Sequence, residues 1–157
     1  MMEEMQQNHG MKNGYTSLAV QTVISGIIMY LVMFVMIDGF DSFFNNLNML
    51  YMTLMMVAPM VVLMILAMRH MFPSNLANTI IIAVAALAFV GSFALIRTQT
   101  TIGDRAFLRS MIPHHSGAIL MCREANISDP QVKRLCSEII QSQRREIDEM
   151  KGILNRI

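Results

Sequence analysis

Apolar and polar positions divide the chain into two parts: three long apolar runs come first, and a shorter amphipathic part follows. A helix rises about 1.5 Å per residue and needs about 20 apolar residues to cross a hydrocarbon core of about 30 Å. Helices also satisfy their own backbone hydrogen bonds in lipid. The pattern therefore predicts a transmembrane region at 16–97, preceded by an N-terminal tail at 1–15. Its three helices are expected at about 16–37, 47–71 and 76–96.

Polar residues and prolines separate these helices. Residues 38–46 form a polar link between the first and the second. Pro73-Ser74-Asn75 separates the second from the third, and Ser74 or Asn75 is expected to cap the third helix. Pro59 lies in the middle of the second helix and should kink it, because proline removes one backbone hydrogen bond.

The last third of the chain predicts two amphipathic helices. Apolar residues recur at steps of three and four from Asp104, near the cap of the first helix, and again after Asp129-Pro130, a strong helix start. The short turn between the helices implies an antiparallel hairpin at 104–157, so the whole chain is expected to be all-α. One hairpin cannot fully cover its apolar stripe, and we expect a second copy to complete a four-helix bundle in a homodimer or larger homo-oligomer. The stripe comprises Phe107, Ile112, Ile119, Leu135, Ile139 and Ile147.

Composition and charge agree with a membrane protein. Apolar residues make up 54% of the chain and charged residues 15%, and nine of the twelve Lys and Arg follow Gly103. The net charge is +1, and acidic residues are interleaved with the basic ones, so the expected partner is a lipid bilayer and no nucleic acid. Paired Glu-x-x-His, His-Glu-x-x-His, Gly-x-Ser-x-Gly and phosphate-loop motifs are absent from the sequence, and we expect no enzyme.

Basic residues indicate the orientation only weakly. Lys12 before the first span, and a link at 38–46 with no Lys or Arg, favour a cytoplasmic N-terminus and hence an outer hairpin. Arg97, Arg105 and Arg109 follow the third span closely and oppose this assignment. We adopt the outer hairpin as the hypothesis.

One Met/His segment of the hairpin has the spacing of a metal site. Met111, His114 and His115 are three and four residues apart, so the thioether can share a helix face with an imidazole. The antiparallel register brings Gln143 and Glu146 level with this segment, and Met150 with some tilt. Thioether and imidazole suit Cu(I), while His with Glu suits zinc or another divalent ion. The alternative is that one His packs with a hydrogen bond and the other is solvated.

The run Phe107–Met121, with Met-Ile-Pro-His-His at 111–115, and the run Gln143–Met150 resemble the domain of unknown function family 305. The resemblance implies a ferritin-like helical bundle, with copper binding and copper tolerance outside the cytoplasm for some members. Members with a full soluble domain carry two hairpins, whereas this chain has one, which favours pairing between chains. The preceding spans resemble a membrane-anchored subset of the family.

These features together predict a membrane-anchored protein for copper sequestration, sensing or delivery, at the outer face of a bacterial inner membrane with a periplasmic hairpin. The expected ligands are Met111, His114, His115, Glu146 and Met150, with Asp104 and Gln143 as supporting residues. The second hypothesis is a structural module for self-association or partner binding, in which no metal binds.

Two further groups of sulfur-containing residues have open interpretations. A stripe of methionines at four-residue steps on the second span could pass soft metal ions along, or it could fill irregular helix contacts, which is the more ordinary role of Met. The stripe comprises Met52, Met56, Met60, Met64 and Met68. Cys122 and Cys136 lie at similar heights in the hairpin and could form a disulfide or remain two thiols.

Overall fold

The computed structural model describes residues 2–157, and their side chains from Gly14 onward. Over this range the chain contains five α-helices, three short 3₁₀ helices and no strand, so the predicted all-α fold is confirmed. The α-helices are α1 (Met2–Val32), α2 (Leu47–Ala67), α3 (Asn75–Thr98), α4 (Asp104–Glu124) and α5 (Pro130–Arg156). The 3₁₀ helices are Met33–Met36, Phe40–Ser42 and Arg69–Met71. Residues 1–13 of the predicted N-terminal tail lie outside the residues whose side chains are described.

Three helices are long and apolar enough to cross a membrane: Gly14–Met36, Leu47–Ala67 and Asn75–Thr98. The second ends at Ala67, before the predicted end at 71, because Arg69–Met71 winds as a separate 3₁₀ turn. Pro59 is accommodated inside a continuous α2. The predicted number and order of the spans therefore agree with the structure.

The chain divides into two compact units. The first, called the span unit, comprises Met1–Tyr30 and Leu50–Thr98. Its core comprises Leu18 of the first span, Val57, Val61 and Ile65 of the second, and Phe72. Ile81 and Ile82 of the third span pack partly buried against it.

Polar contacts define the ends of helices in the span unit. The Ser74 hydroxyl accepts a hydrogen bond from the Ala77 amide at 3.2 Å, so Ser74 caps α3 as predicted. The Tyr15 hydroxyl donates to Oδ1 of Asn78 at 2.8 Å, which ties the start of the first span to the start of the third.

The second unit, called the hairpin unit, comprises Leu31–Met49 and Gln99–Ile157. Its helices α4 and α5 pack against each other along an apolar core. Oδ1 of Asp129 accepts hydrogen bonds from the amides of Gln131 and Val132, so Asp129 caps α5 with Pro130 in the first turn, as predicted. The core comprises Leu108, Ile112, Ile119, Ile147, Met150 and Leu154.

The link between the first two spans folds onto the hairpin. The Asp38 amide donates to the buried Ser116 hydroxyl at 2.7 Å, and the Asp38 carboxylate pairs with Arg123. Lys151 pairs with Asp41, and this hydrogen bond holds the pKa of Asp41 below its ordinary value. The two aspartates of the link are therefore ion-paired within the hairpin unit.

One hairpin leaves part of its apolar stripe uncovered, as expected, but it buries the centre of the stripe. Ile112, Ile119 and Ile147 are buried within a single chain, because α4 packs on α5 and Phe44 of the link packs against their core. Phe107 and Leu135 remain half exposed. A second copy is therefore not needed to bury the centre of the stripe.

Candidate metal centre

His115 is held on the inner face of α4, with 8% of its surface exposed. Its Nδ1 lies 2.9 Å from the carbonyl oxygen of Met111, one helical turn earlier. A carbonyl can only accept, so Nδ1 must carry the proton and donate. This hydrogen bond defines the tautomer of the neutral ring and leaves the Nε2 lone pair for another partner.

That partner is Glu146 of α5. Nε2 of His115 lies 2.8 Å from Oε2 of Glu146, and the side chain of Glu146 is 41% exposed. With Nδ1 donating to Met111, Nε2 and the carboxylate oxygen are both acceptors, and a contact at this distance is one that a shared cation, either a proton or a metal ion, can bridge. The antiparallel register predicted from the turn places these two side chains together correctly.

The two histidines do not have the same environment. His114 is exposed, whereas His115 is buried. Their ring centroids are 6.0 Å apart and the rings meet edge-on. Adjacent residues on a helix point about 100° apart, which separates the two imidazoles once one of them faces the core.

The two predicted thioether ligands lie in the hairpin core. Met150 is buried there, and the partly buried Met111 packs against the same cluster. Gln143 is partly buried on α5, three residues before Glu146. Asp104 is exposed at the first residue of α4, about 16 Å along the helix from His115, and is too distant to support that site.

The methionine stripe of α2 has two environments. Met52 and Met56 are about half exposed. Met60, Met64 and Met68 pack partly buried against the core of the span unit. Filling gaps in that core is the ordinary packing role of a flexible, unbranched side chain.

Among the described side chains, 14–157, no group of three or more His, Cys, Asp or Glu is close enough to hold a metal ion. His115 and Glu146 supply two donors. Cys122 and Cys136 form a disulfide, with their Cα atoms 5.2 Å apart, and so offer no thiolate.

Sequence reasoning missed the residues that hold the link against α4. Ser116 and Asp38 are 78 positions apart, so no local periodicity connects them. Gly117 follows Ser116, and a Cβ at this position would lie 3.4 Å from the carbonyl oxygen of Met36. Ser116 and Gly117, the two small residues directly after the histidines, were the one local sign in the sequence that the backbone of another segment lies close to α4 here.

Comparison with known proteins identifies the hairpin. The family model described as "Domain of unknown function (DUF305)" matches residues 93–154. A curated protein of Acanthamoeba polyphaga mimivirus, "Uncharacterized protein L153", is 40% identical over 113 residues, which cover 70% of this chain and 72% of that protein. No solved structure matches the chain. The chain therefore belongs to the DUF305 family.

Proposed function

We propose that this protein is a membrane-anchored metal-binding protein that uses its hairpin to sequester, sense or deliver copper. The contact between His115 and Glu146 carries the proposal. It joins an imidazole of defined tautomer to a carboxylate across the two helices of the hairpin. Metal-ligating histidines usually donate their second ring N–H to a carbonyl or carboxylate, as His115 does toward Met111.

A metal ion can take the place of the shared proton. The Nε2 lone pair and the Glu146 carboxylate then become its ligands, and the exposed Glu146 side chain can adjust to the ion. Imidazole with carboxylate suits Cu(II) or Zn(II), while the thioethers of Met111 and Met150 suit Cu(I). His114, which is exposed, is available to a ligand approaching from solvent or to a neighbouring chain.

One observation supports an extracytoplasmic hairpin, and a second is consistent with the link and the hairpin lying on the same side of the bilayer. The Cys122–Cys136 disulfide is typical of oxidising compartments. The link and the hairpin also belong to the same compact unit, and three spans send both to the same side of a bilayer. In a bacterial cell this side would be the periplasmic face of the inner membrane.

The test is copper binding by detergent-purified protein in competition with a chromophoric chelator, for Cu(I) and Cu(II) separately. His115→Ala should weaken binding at least tenfold, because it removes a direct ligand. Glu146→Gln should weaken Cu(II) binding while its amide still fills the space of the carboxylate. His114→Ala is the matched control, one position away and exposed, and should have a smaller effect.

Circular dichroism accompanies each variant, since His115 is buried and its loss can loosen the hairpin. Unchanged affinity and stoichiometry in a folded His115→Ala variant would show that this site assignment is wrong.

A second candidate function is self-association without metal. Phe107 and Leu135 are 50% and 54% exposed, which leaves apolar surface on both hairpin helices. In this case the His115–Glu146 contact is a structural ion pair that holds α4 to α5. Light scattering in mild detergent tests it: Leu135→Glu should convert a dimer into a monomer, whereas a parent protein that is monomeric at all concentrations excludes this candidate.

A further inference from the structure

The span unit contains an apolar groove of about 380 Å³ between its three helices. All three spans contribute to its lining, and no charged side chain does. On α1 the lining extends from Tyr15 to Val23, which is about 12 Å of helix. We call this space the span groove.

Small residues create the span groove. Ala58 of α2 and Ala85 of α3 are 5% and 8% exposed and lie at its base, and Ala88 lines it one helical turn further along α3. Larger residues at these positions would fill the space. Small residues in membrane helices normally allow a neighbouring backbone to approach closely, yet in this chain the space beside them is open.

The rim of the span groove is continuous with the outer faces of the spans. Val23 and Val84 both line it, and they are 61% and 59% exposed. Both belong to helices whose length and hydropathy suit a bilayer crossing. Hydrocarbon that covers those outer faces would therefore extend into the groove without meeting a polar barrier.

Tyr15 gives one end of the span groove a polar group. Tyr15, near the start of the first span, lies at one end, and its hydroxyl donates to Asn78 at the start of α3. The other lining residues are apolar except for Thr22. An apolar channel with polar groups at the membrane boundary matches an amphiphile with a hydrocarbon tail.

We propose that the span groove binds one acyl chain of a membrane phospholipid, in the leaflet nearer Tyr15. An acyl chain is a single file of methylene groups and is narrower than a helix with its side chains, which is about 10–12 Å across. The volume is within the range of ligand pockets, about 300–1,000 Å³. The proposal requires that the three spans insert into a membrane, as in the proposed function, and it does not depend on metal binding.

The test uses purified protein reconstituted in phosphatidylcholine vesicles that contain a phosphatidylcholine with a diazirine on one acyl chain. After irradiation, mass spectrometry should locate the label on the residues that line the groove. Ala88→Leu should lower the yield of this label at least fivefold, because the leucine occupies the space of the tail. Ala86→Leu is the matched control: it adds the same side chain at an exposed position of the same helix and should leave the yield unchanged.

Ala58→Leu fills the groove from α2 and replaces Ala88→Leu if that variant does not reconstitute. Equal labelling of parent and filled variant overturns the proposal. So does uniform labelling of all exposed span faces, or the absence of label from the residues that line the groove. If alkaline carbonate extracts the protein from the vesicles, the spans are not inserted in the membrane. This result is separate from the copper-affinity measurement, which tests only the metal site.

Discussion

At the scale of single residues, a pair of neighbouring histidines with identical chemistry has two different roles. His115 is buried, and its ring nitrogens are committed to a backbone carbonyl and a carboxylate. His114 is exposed beside it. Of the two adjacent imidazoles, one therefore lies inside the hairpin and the other lies at its surface.

The Asp41–Lys151 pair gives a prediction at this scale. The hydrogen bond from Lys151 lowers the pKa of Asp41 from 3.8, so its contribution to folding is complete above that pH and is lost as the pH falls through the lowered value. Lys151→Gln should raise the pKa of Asp41 back toward 3.8. Carboxyl NMR titration in micelles measures this shift.

Lys133→Gln is the control for this measurement, since Lys133 is exposed in the first turn of α5 and should leave the titration unchanged. Because the Asp41 side chain is 73% exposed, the effect on stability should be small and should decrease with added salt. A pKa of Asp41 that is the same in the parent and Lys151→Gln would show that the pair does not form in solution.

At the scale of elements, α4 and α5 are joined both by packing and covalently. The Cys122–Cys136 disulfide closes a loop with a sequence separation of 14, next to a turn that already ends in an Asp129 cap. The cap defines where α5 begins, while the disulfide restricts how far the two helices can separate at the turn end. The His115–Glu146 contact lies further from the turn, where nothing covalent holds the helices together.

The disulfide should therefore contribute measurably to the stability of the hairpin. Replacing both cysteines by serine should lower its unfolding free energy by about 3 kcal/mol, the chain-entropy value for a loop of about 15 residues. Thermal unfolding followed by circular dichroism measures this. Dithiothreitol should reproduce the loss in the parent and have no effect on the double variant, which serves as the matched control.

At the scale of the whole molecule, the link at 38–46 and the hairpin belong to one compact unit, although two candidate spans separate them in sequence. With every candidate span across a bilayer, two crossings separate the link from the hairpin, so both would lie on the same side. The Asp38–Ser116 hydrogen bond and the Asp38–Arg123 pair then connect segments that are far apart in sequence. The link and the hairpin should therefore lie in the same compartment, and one measurement on the hairpin can identify it.

In cells, an extracytoplasmic hairpin should contain oxidised cysteines. Acid quenching, followed by maleimide–polyethylene glycol labelling with and without prior reduction, should add mass to the chain only after reduction. Directing the hairpin alone to the cytoplasm provides the reduced control. If the full-length protein carries two reactive thiols at the moment of quenching, the outer placement is wrong.

The features that could be predicted from the sequence are local ones. Each span needs only a run of apolar residues long enough to cross a bilayer, and caps such as Asp129 and Ser74 act on amides two or three residues away. The short turn also set the antiparallel register that brings Glu146 beside His115. These predictions succeeded because each depends on neighbours in sequence or on simple counting along two helices.

Only the tertiary structure decided how each helix is rotated about its axis. That rotation separates His114 from His115 and buries the centre of the stripe predicted to need a second copy. It also brings Asp38 and Asp41 against the hairpin and leaves an open groove beside Ala85. The physical reason is that a helix with several apolar faces can pack in more than one orientation, and contacts between residues distant in sequence select among them.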